Sequence, residues 1–85
     1  MPTETLVVYG SDWCGDCRRT KRFLDQHNIP FTFVDVALNP QASEFVAKVN
    51  HGMRSIPTLI FGDGSMLVEP SNSTLAAKLG LAEFA

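Results

Sequence analysis

A basic excess is missing. Lysine and arginine number 7 against 9 aspartate and glutamate residues, for a formal net charge of −2. A chain with no surplus of positive charge lacks the electrostatic footprint of a nucleic-acid binder. Long apolar runs are missing as well. The longest, Thr5–Tyr9 and Thr58–Phe61, fall far short of the roughly 20 residues that a membrane-spanning helix needs. Nucleic acid and membrane are therefore not expected partners. Met1-Pro2-Thr3-Glu4 has neither the positive region nor the apolar stretch of a leader peptide, so a cytoplasmic location is the expectation. There are only 2 cysteines in 85 residues. In a reducing compartment such a pair points to catalysis or metal binding more than to a structural staple. No repeat, linker or low-complexity tract interrupts the chain, so residues 1–85 are expected to form one domain, and a monomer.

Enough apolar sequence is present for a core, at 45% hydrophobic residues against 19% charged. Leu6–Tyr9 is a short β-rich run closed by Gly10-Ser11 and reads as a buried central strand. From Cys14, the residues Cys17, Thr20, Phe23, Leu24 and His27 recur at helical spacing, and Asn28 and Pro30 close that helix. Phe31–Val36 predicts a second strand. Asn39-Pro40 marks a helix start, with Asn39 as cap and Pro40 preset for the first turn. Ala42, Phe45, Val46 and Val49 make its apolar stripe, and Asn50-His51-Gly52 ends it. Thr58–Phe61, the turn Gly62–Ser65 and Met66–Val68 predict a hairpin. Pro70-Ser71-Asn72 introduces a last helix around Leu75–Leu79, stopped by Gly80. The order βαβαββα implies α/β architecture, with one mixed sheet covered by helices. Tyr9, Phe23, Phe31, Phe33, Phe45 and Phe61 are assigned to the core.

Cys14 and Cys17 fall where the first strand hands over to the first helix. Free N–H groups and partial positive charge at a helix start stabilise a thiolate, and the thiolate is the nucleophile. Cys14, nearer that end, is the expected nucleophile; Cys17, one turn on, is the resolving thiol. A structural zinc site needs four ligands. The remaining candidates, His27 and His51, are far apart and more simply serve as charges near helix C-termini. A metal site shared between two chains and a pair of inert core cysteines are the remaining alternatives. Asp16 opposes a thiolate, while Arg18, Arg19 and Arg22 favour one. Arg18 and Arg19 otherwise read as a solvated helix face, with steering of anionic conjugates as the alternative. Ile56-Pro57-Thr58 precedes a strand. A cis proline there would leave the Ile56 backbone free to pair with an extended substrate; a trans proline simply starting the strand is equally compatible. Trp13 reads either as a platform beside the thiol or as filling at a strand end.

The motif Trp13-Cys14-Gly15-x-Cys17, the stretch Glu44-Phe45-Val46 with Val49-Asn50, Arg54-Ser55-Ile56-Pro57-Thr58, and Asp63-Gly64-Ser65 with Pro70-Ser71 resemble glutaredoxins over nearly the whole chain. Within that family they are most similar to the mycoredoxins of actinobacteria. The resemblance implies a thioredoxin fold with strand order 2-1-3-4 and three flanking helices, a cis Pro57, and attack by Cys14 on mixed disulfides between proteins and a low-molecular-weight thiol. It implies that Trp13, Arg54, Ile56, Pro57, Ser71 and Asn72 contact the substrate; a helix start and an arginine suit a polar or carboxylate end. Glutathione-using relatives usually carry Pro and Tyr where Gly15 and Asp16 stand, and a lysine shortly before the motif where Gly10-Ser11-Asp12 stands. Glutamine is frequent at Met53, and Gly-Gly followed by acidic residues at Glu69–Asn72. These departures make mycothiol the expected co-substrate over glutathione. No tightly bound cofactor and no metal is expected. A flavoprotein disulfide reductase is a candidate electron source. A dithiol electron donor recycled by a thioredoxin-type reductase, and an iron–sulfur module bridging two chains through Cys14, are the competing functions.

Overall fold

The computed structural model describes residues 6–81; the N-terminal segment on which the leader reading rests, and the tail from residue 82, lie outside them. The elements run β1 (Val7–Gly10), α1 (Gly15–Gln26), β2 (Thr32–Asp35), α2 (Pro40–Val49), β3 (Thr58–Ile60), β4 (Met66–Val68) and α3 (Asn72–Leu79). The strands form one sheet in the order β2-β1-β3-β4. β1 pairs parallel with β2 and antiparallel with β3, and β3 pairs antiparallel with β4. The expected fold class and strand order are both present.

Local chemistry accounts for the boundaries. Asn39 caps α2, its Oδ1 accepting the Ala42 N–H at 3.1 Å, with Pro40 at the first position. Ser71 caps α3 by accepting the Thr74 N–H at 3.1 Å. Caps of this kind contribute about 1 kcal/mol each. Asn28, just past α1, and His51-Gly52, past α2, take positive φ, and Gly80 ends α3 at φ 72°. β1 runs one residue later than its apolar run suggests, because Gly10 still pairs with Asp35 across the sheet. β3 stops at Ile60 because the Phe61 N–H already closes the turn onto the Ser65 carbonyl at 2.9 Å.

Val8, Leu24, Leu59 and Leu75 are fully buried, and Leu6, Phe23 and Ala76 nearly so. They join β1, α1, β3 and α3 in one cluster, with Phe31, Phe33 and Phe61 packed at its margin. Each such large side chain contributes about 1.5–3 kcal/mol on burial. Phe45 departs from its assignment to the core. It is 36% exposed and lies against the Tyr9 ring at 5.1 Å, because the inward face of α2 is taken by Ala42 and Val46. Among the described residues, no helix is long and apolar enough to cross a membrane.

Candidate active site

The site begins where β1 ends. The Cys14 N–H closes the loop onto the Ser11 carbonyl at 3.2 Å. Arg18 Nη1 donates to the Asp12 carbonyl at 2.8 Å, and Lys21 Nζ binds Asp12 Oδ1 at 2.9 Å while lying 3.7 Å over the Phe33 ring. The loop thus delivers Cys14 to the cap position of α1, where its Sγ accepts the Cys17 N–H at 3.3 Å. Sulfur here takes the part that a serine or aspartate oxygen plays at most helix starts. Negative charge on this sulfur meets a donor and the positive end of the helix dipole. Cys14 is half-buried.

Cys17 is its opposite. It is fully buried, and its pKa is pushed from the ordinary 9.0 up to about 12. Burial is the main cause; the Cys14 side chain and the Asp16 charge push the same way, while a backbone hydrogen bond from Ser11 opposes them. Room for its sulfur comes from Gly10. A Cβ placed there would stand 2.6 Å from Cys17 Sγ and 3.2 Å from Phe33 Cε1.

Iodoacetamide at pH 8 should therefore label Cys14 alone in the folded, reduced protein, and both cysteines in denaturant. Peptide mass mapping checks this; labelling of native Cys17 at a comparable rate would contradict its burial. The folded state holds the Cys17 proton more tightly than the unfolded chain does. Its contribution to stability is full below pH of about 9 and is lost as pH climbs toward about 12. Urea unfolding midpoints should fall over that range, and fall less in Cys17→Ala.

On β3, Tyr9 pairs with Thr58, so the start of β3 lies beside the end of β1 that leads to the cysteines. The Ile56–Pro57 bond is cis. Pro57 is buried, and its carbonyl accepts the Glu69 N–H at 2.8 Å. Thr58 Oγ1 donates to the Ser55 carbonyl at 2.7 Å and accepts from Asn50 Nδ2 at 3.2 Å. Ile56 is half-buried, and among the described residues its backbone makes no backbone hydrogen bond. An extended chain has open backbone groups to pair with there.

The other expected contacts are less gathered. Trp13 is 73% exposed beside Cys14, not a filling at the strand end. Arg54 is exposed, and its Nε donates to Ser43 Oγ on α2 at 2.9 Å. It lines an open groove with Glu44, Phe45 and Lys48. Ser71 Oγ is engaged as the α3 cap, and Asn72 Oδ1 accepts from Arg19 Nη1 at 2.7 Å. Arg19 thereby leaves the solvated face on which the sequence places it. Neither its tie to α3 nor the Gly10 notch has a local sequence signal, since both depend on side chains brought together by the sheet. His27 lies against the Phe23 ring at 4.4 Å, tilted by 43°. Among the described residues, no three His, Cys, Asp or Glu side chains gather as a metal site.

Two thiols so unequal, one turn apart at a strand-to-helix junction and set on a 2-1-3-4 sheet, put this chain among the thiol–disulfide oxidoreductases of the thioredoxin fold. The glutaredoxin family pattern matches residues 6–66, and the chain belongs to that family. It is 44% identical to a protein of Mycobacterium tuberculosis that carries the glutaredoxin name, over 93% of this chain and 94% of that one. It is 32% identical to mycoredoxin 1 of Corynebacterium glutamicum, over 89% and 94%. Among solved structures, a glutaredoxin of Archaeoglobus fulgidus superposes with a TM-score of 0.71 at 22% identity, covering 87% of this chain and 84% of the other. A buckwheat glutaredoxin–glutathione complex superposes at 0.70 and 20% identity, covering 91% and 71%. These two share the fold. Glutaredoxins work with a small-thiol co-substrate, and the chain is an enzyme of that class.

Proposed function

We propose that this enzyme reduces mixed disulfides between proteins and mycothiol, with Cys14 as nucleophile and Cys17 as resolving thiol. The contrast between a half-exposed Cys14 at a helix cap and a fully buried Cys17 carries the assignment. The likeness to mycoredoxin 1 supports mycothiol as the thiol. The Cys14 thiolate attacks the mycothiol sulfur of the mixed disulfide. A Cys14–mycothiol disulfide forms, the protein–mycothiol bond breaks, and the protein leaves as a thiolate that takes up a proton. A second mycothiol, as thiolate, then attacks the mycothiol sulfur on Cys14. This releases the mycothiol disulfide and restores Cys14. In the dithiol branch, Cys17 gives up its proton and attacks the Cys14 sulfur, releasing mycothiol. The resulting Cys14–Cys17 disulfide is reduced by two mycothiols or by a flavoprotein reductase. Trp13, Ile56 and Pro57 flank the reacting sulfur in this reading, and Ser71 and Asn72 receive the polar end of the small thiol. Arg54 meets the substrate from the α2 side.

Trapping tests the co-substrate. Cys17→Ser exposed to an actinobacterial extract should accumulate a mycothiol adduct on Cys14, read by mass spectrometry of the intact protein. Glutathione there, or no adduct, would overturn the choice of thiol. A reductase that drives wild-type turnover with no small thiol present would instead favour the dithiol donor.

A further inference from the structure

Arg19 stands apart from the other cations of α1. Arg18 and Lys21 hold the Asp12 loop. Arg19 reaches across 53 positions of sequence to the start of α3, where Nη1 donates to Asn72 Oδ1 at 2.7 Å and Nη2 to the Pro70 carbonyl at 3.2 Å. The same Nη2 lies 3.6 Å from Asp16 Oδ1, the carboxylate between the two cysteines. Its side chain is 35% exposed. One planar fork thus ties the cysteine-bearing end of α1 to the N-terminus of α3. A lysine, with a single nitrogen, cannot reproduce that fork.

This contact has a chemical consequence. Arginine has only donors, so the Asn72 atom facing it is the amide oxygen. With that oxygen turned to the guanidinium, the Asn72 groups left wholly uncommitted for a ligand are donors: its Nδ2 and its backbone N–H. Ser71 Oγ is already spent on the Thr74 N–H. The α3 side of the site therefore offers donors. Asp16, a carboxylate that would repel an electron-rich group, is paired with the same guanidinium.

We infer that Arg19 is a specificity-determining positioning residue, which fixes the α3 start relative to Cys14 and makes it a donor face that selects small thiols with an acceptor-rich end. This rests on the proposed seating of a small thiol between Cys14 and α3. Steady-state turnover is measured with mycothiol and with cysteamine, a thiol without an acceptor end, for wild type, Arg19→Met and Arg19→Lys. Single-turnover reduction of 2-hydroxyethyl disulfide by the pre-reduced proteins, with no small thiol present, is the companion assay.

In Arg19→Met the KM for mycothiol should rise on the order of tenfold, as expected for loss of a charge-assisted hydrogen bond. The kcat, the KM for cysteamine and the single-turnover rate should stay within about twofold. Arg19→Lys should fall between the two for mycothiol, and it keeps the comparison usable if the methionine variant folds poorly. An unchanged mycothiol KM in both variants overturns the inference. So does an equal loss in every assay accompanied by a lower Tm, which is the mark of a merely structural tie. Wild type that fails to saturate with mycothiol would instead overturn the small-thiol reading, and the inference with it.

Discussion

Cys14→Ser is expected to abolish mixed-disulfide reduction, with a loss of at least about a thousandfold, while Cys17→Ser retains a substantial fraction of it. A serine hydroxyl at position 14 cannot form the disulfide through which the small thiol is transferred, so no other contact of the site can compensate. The expectation for Cys17 follows from its environment. Its sulfur is fully buried and holds its proton to a pH of about 12, so it does not compete for substrate. In the proposed reaction it enters only after Cys14 carries an adduct. Reduction of a mycothiol-modified protein, followed by release of the protein thiol, checks both variants side by side. Activity remaining in Cys14→Ser and lost in Cys17→Ser would reverse the assignment of nucleophile and resolving thiol.

Much of this site is legible in the residues themselves. The strand-to-helix placement of the cysteines follows from an apolar run, a Gly-Ser break and helical spacing, all local. The cap at Asn39 is local as well and forms as the sequence predicts; Pro70-Ser71-Asn72 introduces the last helix as expected, with Ser71 as its cap. The strand order and the cis Pro57 are different. Residue patterns leave the proline open, and family resemblance decides it; the structure agrees on both. What the sequence misplaces are contacts across the sheet or between helices. Arg19 reads as a solvated charge because nothing near it announces Asn72. Phe45 reads as core because α2 has a wide apolar stripe, of which only the Ala42 and Val46 part faces inward. Gly10 reads as a strand terminator, whereas it is a strand residue whose missing side chain makes space for a sulfur.

The Gly10 notch leads to the second large effect. Gly10→Ala should destabilise the protein by about 3 kcal/mol, or roughly 15 °C in Tm for a chain of this size. The added methyl would meet Cys17 Sγ at 2.6 Å, a rigid neighbour in the first turns of a helix, and the Phe33 ring on the other side. The cause can be separated from any backbone effect. Cys17→Ala removes the sulfur, so Gly10→Ala in that background should cost far less than in the parent. The two substitutions are in contact and should be strongly non-additive. Thermal melts of the four proteins complete the cycle. Equal losses from Gly10→Ala in both backgrounds would show that the sulfur is not what fills the notch.

The arrangement of β1 beside β3 bears on how the molecule assembles. The core takes Leu6, Val8, Phe23 and Leu24 from the first half of the chain and Leu59, Leu75 and Ala76 from the second. Cys14 and Cys17 belong to the first half; Pro57, Asn72 and Ser71 belong to the second. The proposed site therefore straddles a seam whose closure pairs Val8 with Leu59. Closing so long a loop is slow compared with forming either half locally. During refolding, the difference in reactivity between the two thiols should appear with the first half, since the Cys14 cap and the neighbours Ser11, Gly10 and Phe33 around Cys17 all belong to it; the edge at Ile56–Pro57 joins them only on closure. Thiol labelling then acts as a clock for the first half, and turnover as one for the closed molecule.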